Sequence, residues 1–179
     1  NPVQSDKREK INMHNFDNIA NVNLAIEQLQ NTLPNLEWVA VVVNWFITSK
    51  DMNIGEIIPK VEFNITTANV TPIDWQVGSI TRSNAQIINQ FPDGSLTYGG
   101  TPSDNTILEL CTALKNAGYN VLFYPMPLVD TVDEQPGEED KPWRGRLVPT
   151  SIAECNDWFT KANGYNNFIQ HYSQLTGLS

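Results

Sequence analysis

Apolar residues recur at steps of three and four from Ile19 through Val22, Ile26 and Leu29 to Leu33. That spacing puts them on one face of an α-helix, because 3.6 residues complete a turn. Pro34 ends the pattern, since proline has no amide proton and its ring collides with the preceding turn. The next run, Trp38-Val39-Ala40-Val41-Val42-Val43-Asn44-Trp45-Phe46, is continuous, apolar and rich in β-branched side chains. It lacks polar alternation and so predicts a strand buried on both faces, the kind that parallel sheets contain. Residues 1–14 are polar and predict a flexible N-terminal segment ahead of one domain over 15–179.

From about 47 to 95 no helical period is visible. Short strand-like pieces stand at 60–64 and 73–80, and two more at 85–89 and 95–98 flank Pro92-Asp93-Gly94, a turn sequence suited to a hairpin. The region reads as a β-rich excursion inserted after the first buried strand. Its last piece, Leu96–Gly99, is expected to return to the main sheet. Thr101-Pro102-Ser103-Asp104 then opens a helix with capping side chains, a proline near the first turn and an acid at the positive end of the dipole. Ile107, Leu108, Cys111 and Leu114 mark its inner face, and Gly118 its end. Tyr119–Pro125 predicts a second buried strand closed by Pro125. The strand–helix–strand order implies a right-handed parallel crossover, with Leu96–Gly99 between the two long strands. Ser151 and Glu154 have capping-box spacing for a further helix. Asn163-Gly164 breaks it before a last amphipathic helix carrying Tyr165, Phe168, Ile169, Tyr172 and Leu175.

Composition narrows the function. The 179 residues are 40% hydrophobic and 17% charged, enough for one domain with a core. A net charge of −9 argues against nucleic-acid binding, which needs clustered Lys and Arg, and against docking on an anionic membrane. Six acids (Asp130, Asp133, Glu134, Glu138, Glu139 and Asp140) fall close together. Their spacing departs from a calcium loop and fits a solvated one. Cys111 and Cys155 lie in predicted helices, with no CxxC and no histidine at ligand spacing. Reduced thiols are expected, and neither a metal nor a cofactor. No run approaches the roughly 18 apolar residues of a membrane span.

Three strings then stand in order: Val42-Val43-Asn44-Trp45-Phe46, Tyr98-Gly99-Gly100-Thr101-Pro102-Ser103-Asp104 and Pro142-Trp143-Arg144-Gly145-Arg146. Trp75-Gln76-Val77, Thr81-Arg82, Tyr124-Pro125 and Asp130 lie between them. From about residue 11 onward the chain resembles the TIM-barrel-like domain of the large tail proteins of gene transfer agents and related prophages, a family that includes glycoside hydrolase-like and host-specificity proteins. The resemblance implies an α/β fold, a partial (β/α) TIM-like barrel with the β-rich insertion after its first strand. Family members continue past the point that matches Gly177-Leu178-Ser179, with a strand carrying a Gly-Ser-Glu string. The resemblance therefore covers about the first half of such a barrel.

In such a barrel functional groups sit at the C-terminal strand ends. That rule selects Asp130 as a candidate catalytic carboxylate, and Trp45, Tyr98, Asp104 and Tyr124 as candidate ligand-binding groups. Arg144 and Arg146 flank a glycine and could clamp a carboxylate or a sugar acid. Each has a plainer reading. Trp45 and Tyr124 fill core space, Asp104 serves the first turn of its helix, and the arginines pin the acidic loop. Gly99-Gly100 before a helix permits a tight turn or an anion site. His171, on the last helix, reads as packing or surface. Glycosidases need two carboxyl groups about one bond, and no second carboxylate pairs with Asp130 in the pattern.

The resemblance and the missing pair imply a tail-tip or baseplate component, made in the bacterial cytoplasm and assembled with other tail proteins, with a glycan as a further partner. The alternative is part of a glycoside hydrolase acting on cell-wall or surface glycan. A half barrel would leave open sheet edges, so a homo-oligomer is expected.

Overall fold

The structure is a computed structural model that describes residues 13, 15–16, 19–63, 75–91, 93–130, 147 and 149–177. In chain order the elements are α1 (Asn21–Thr32), β1 (Trp38–Ile47), β2 (Ile57–Ile58), β3 (Lys60–Val61), β4 (Gln76–Val77), β5 (Ile80–Thr81), β6 (Gln86–Ile87), α2 (Asp104–Asn116), β7 (Asn120–Val129), α3 (Ile152–Thr160) and α4 (Tyr165–Thr176).

The two long apolar runs form the heart of the fold. β1 and β7 pair in parallel from Trp38 opposite Asn120 to Ile47 opposite Val129. β2 adds antiparallel to the end of β1, at Phe46 and Ile47 only. Two further sheets, β3 with β6 and β4 with β5, have two strands each. The expected partial (β/α) barrel is corrected by this arrangement. The largest sheet has three strands, in the order β2-β1-β7, and no barrel closes among the described residues. Closure takes about eight tilted strands.

Two local forces oppose the expected layout. Leu96 does not come between β1 and β7, which hydrogen-bond directly. It bridges Gln90 instead. The turn around Gly94, at φ 83°, folds this piece back on itself. Phe91 N–H donates to the Ser95 carbonyl at 2.8 Å, and Thr97 N–H to that of Asn89 at 3.2 Å. Pro125 does not close β7 either. The Asn120 and Asp130 amides donate to Glu37 and Ile47 at 2.8 and 3.0 Å, so even-numbered residues of β7 face β1. Pro125 and Pro127 are odd-numbered and face the opposite edge, where a missing amide costs the ladder nothing.

One face of the sheet is covered along its length and the other only at the Phe46 end, where Tyr98 packs, which corrects the expectation of a strand buried on both. Val41, Val43, Trp45, Val121 and Val129 point inward and are buried. Phe168 and Tyr172 of α4 pack there. Trp45 stacks on Phe168 with ring centroids 4.8 Å apart, and Phe123 stacks on Tyr172 at 4.9 Å. Ile107, Cys111 and Leu114 of α2 complete this side. Trp38, Val42, Leu122, Tyr124 and Met126 point the other way and remain 41–58% exposed.

The helix ends follow the expected chemistry. The Ser103 hydroxyl accepts from the Thr106 amide at 3.3 Å. Ser151 accepts from Glu154 N–H at 3.1 Å, and the Glu154 carboxylate reaches back to Thr150. Gly118 takes φ 90° after α2, a conformation only glycine adopts without strain. α1 has neither a side-chain cap nor a buried residue.

Candidate functional site

The C-terminal end of β7 carries the first cluster. Asp130 continues the ladder through its amide, so its side chain is fixed by the strand. Its Oδ2 lies 2.9 Å from Nζ of Lys60, on β3, and both side chains are almost wholly buried. The Lys60 ammonium also donates to the Asp130 carbonyl at 3.3 Å. The Asn89 amide reaches both carboxylate oxygens at 3.2–3.3 Å, and the Thr97 hydroxyl, which donates to the Asn89 carbonyl at 2.8 Å, lies 3.4 Å from Oδ1. A buried ion pair persists when its remaining lone pairs and protons are satisfied in this way. Asp130 is thus a fully engaged anion inside the fold.

Tyr98 stands beside it, donating its hydroxyl to the Val129 carbonyl at 2.8 Å and packing against Phe46 with centroids 5.6 Å apart. Burial pushes its phenol up to about 12, and the Asp130 charge adds to the shift. Asp130 and Tyr98, singled out separately in the sequence, therefore share one cluster. Lys60 and Asn89 were missed. Lys60 stands among apolar residues, Ile57-Ile58-Pro59 before it and Val61 after it, but a single lysine gives no signal of burial until the strand pairing is known.

The Gly99-Gly100 turn adjoins this cluster. The Gly100 amide donates to Glu62 Oε1 at 2.7 Å, so the chain's own carboxylate fills the place an external anion would take. A Cβ at Gly100 would lie 2.7 Å from Glu62 Oε2, so a larger residue there would push this carboxylate aside. Arg82, also missed, is buried near Glu62, with Nη1 3.9 Å from Oε2. Its guanidinium lies 5.7 Å from the ring centre of Trp75 and 5.8 Å from that of Phe63. Trp75 donates to the Thr101 carbonyl at 2.7 Å, and the Thr101 amide to that of Lys60 at 2.9 Å. These bonds tie the excursion to the start of α2.

The second cluster joins α2 to α4. Asp104 Oδ1 lies 2.8 Å from His171 Nε2, and Asp104 Oδ2 accepts the Gly78 amide at 2.8 Å. The His171 ring sits 5.6 Å from Trp45 and 4.8 Å from Tyr172. Trp45 Nε1–H donates to the Tyr172 hydroxyl at 3.1 Å. Burial drives the Tyr172 phenol far above its ordinary value, opposed by the bond from Trp45 and helped by the Asp104 charge. Asp104 does sit in the first turn of its helix, as its plainer reading held. Its second role, as the partner of a histidine 67 residues away, was not legible in the sequence. The dyad connects α2, α4 and the turn between β4 and β5, and its imidazole is packed against Trp45 and Tyr172.

Trp45 belongs to this second cluster as a buried core ring. The remaining candidates do not join either cluster. Tyr124 lies on the exposed sheet face. Arg144 and Arg146 lie outside the described residues, as do Asp133, Glu134, Glu138, Glu139, Asp140 and His14. Cys111 and Cys155 are free thiols. Burial raises the Cys111 thiol, with Lys115 opposing. Among the described residues no three His, Cys, Asp or Glu side chains gather where a metal could bind. No described helix is long and apolar enough to cross a membrane.

The third feature is the exposed sheet face itself. Trp38, Val42, Leu122, Tyr124 and Met126 are uncharged, in a chain of net charge −9. Compared with protein-family models and with curated proteins, the chain matches none.

Proposed function

We propose that this chain is a non-catalytic assembly component of a phage-tail-like or gene transfer agent particle, made in the bacterial cytoplasm and built in beside other tail or baseplate proteins. The observation that carries the reading is the outward sheet face, whose five large apolar side chains are left 41–58% exposed. Contiguous apolar surface of a few hundred Å² or more marks an interaction site. The engagement of Asp130 supports it further. A glycosidase carboxyl must reach the scissile oxygen, whereas this one is buried against Lys60 and the Asn89 amide.

The test is a turnover assay on peptidoglycan and on simple glycans. The expected result is no release of reducing ends above buffer, for the native chain and for Asp130→Asn alike. Turnover by the native chain that disappears in Asp130→Asn would contradict the proposal and favour the glycoside hydrolase alternative.

A further inference from the structure

The two edges of the main sheet differ. On β7 the free edge is blunted by Pro125 and Pro127, which offer no amide to an incoming strand. The free edge of β1 has no such device. The Asn120 amide donates to the Glu37 carbonyl, so odd-numbered residues of β1 turn their amides and carbonyls to β7. Trp38, Ala40 and Val42 turn theirs away. β2 occupies that side only at Phe46 and Ile47. Among the described residues no strand pairs there with Trp38, Ala40 or Val42. β2 fills one end of a row, and the other end of the same row is open.

The open end lies beside an apolar groove of about 480 Å³. Val22, Ile26 and Leu29 of α1 form one wall and Ile107 and Leu110 of α2 another, with residues 39–42 of β1 as the floor. Among the described residues that line it none is charged. α1 presents its apolar stripe to this groove and buries none of its residues fully. An apolar small molecule that filled the space would leave the outward amides and carbonyls of β1 to water. An extended peptide serves both, because its main chain meets the edge while alternate side chains enter the groove.

We propose that β1 accepts an extended segment of a partner protein as an added strand along Trp38–Val42. The segment runs antiparallel to β1, in line with β2 and in the same direction. Its residues opposite Val42, Ala40 and Trp38 exchange main-chain hydrogen bonds with the edge, and their side chains point to the outward sheet face. The two residues between them point under α1 into the groove and are apolar. The next residue stands opposite Glu37, which is exposed. In a chain of net charge −9 that position selects Lys or Arg, since opposite charges pair across strands. The added strand stops short of Phe46, where β2 holds the edge. This edge is a second surface beside the outward face that carries the assembly reading, and it does not depend on that reading.

The probe is the peptide acetyl-Thr-Ile-Thr-Ile-Thr-Lys-amide, titrated into the purified native chain while amide exchange is followed by NMR. In the free chain the Ala40 and Val42 amides should exchange freely, whereas those of Val39 and Val41, bonded to β7, are protected. With peptide the Ala40 and Val42 amides should slow at least tenfold, and binding should saturate below about 1 mM. N-methylation of the middle threonine, whose amide faces Ala40, should weaken binding at least tenfold, and N-methylation of the second isoleucine, whose amide points away, less than about threefold. Val42→Pro removes one outward amide and spares the β7 ladder. It should lose the peptide and keep the native circular dichroism spectrum; if it unfolds, the methylated peptides decide. Ala40 and Val42 amides already protected without peptide would overturn the proposal. So would the lack of saturable binding up to about 1 mM, or equal losses from the two methylations. A chain that binds the peptide yet is absent from particles would sink the assembly reading and leave this site standing.

Discussion

Replacing Lys60 by methionine removes the cation and keeps most of the side-chain volume. Asp130 then remains buried, with its carboxylate held by the Asn89 amide at 3.2–3.3 Å and the Thr97 hydroxyl nearby at 3.4 Å. Neither group supplies the charge lost from 2.9 Å away. Breaking a buried pair by deleting one partner costs about 3–5 kcal/mol, because the other charge is left uncompensated. In a domain of this size each kcal/mol moves the melting temperature by about 2–4 °C, so Lys60→Met should melt roughly 6–20 °C below the native chain. Asp130→Leu should cost a similar amount, by leaving the ammonium with only the Asp130 carbonyl. The double variant Lys60→Met/Asp130→Leu should recover most of the loss, since an apolar pair of similar volume often equals a buried ion pair. Urea denaturation of the four proteins measures the cycle. Single variants that lose less than about 1 kcal/mol, or a double variant that shows simple additivity, would refute the reasoning, because contacting charges are coupled.

Tyr98 should ionise at about 12 in an ultraviolet titration, well above ordinary tyrosines, through burial first and the Asp130 charge second. Its folded value is raised, so its contribution to stability is fully present below the unfolded value near 10 and is lost as pH rises through about 12. Asp130→Asn should lower the Tyr98 midpoint only in part, since the burial remains. His171→Ala and Asp104→Asn should each destabilise the fold by about 1–2 kcal/mol and couple in a double-mutant cycle; additive losses would deny the 2.8 Å bond an energetic role. Phe168→Ala, which empties the site between Trp45 and Tyr172, should cost about 3–5 kcal/mol in the same denaturation assay.

The two long strands were legible because β-branched runs such as Val41-Val42-Val43 have few alternatives to a sheet. The helices were legible from their stripes and caps, Ser103 and Ser151 above all. The depth of burial was not. A continuous apolar run looks the same whether one face or both are covered, and only the packing of α4 on the odd-numbered side of β1 decides it. Pro125 read as a stop because sequence does not reveal which edge a strand occupies. The excursion misled most: Leu96 has the composition of a sheet strand, yet the turn at Gly94 holds it against Gln90. At the site, Asp130 and Asp104 were found as acids at element ends. Their partners Lys60 and His171 come from 70 and 67 residues away, and no local pattern encodes contacts of that range. The family resemblance suggested a barrel, and the pairing of only three strands in the main sheet corrects it.

Incorporation into a particle, as proposed above, is tested most directly by quantitative mass spectrometry of purified phage-tail-like particles from cells that make the chain. The chain is expected in a fixed ratio to the other tail proteins, retained through density-gradient purification and depleted when Val42→Lys replaces the native residue on the exposed sheet face. Its absence from intact particles, with the chain recovered only as free protein, would contradict the proposed role.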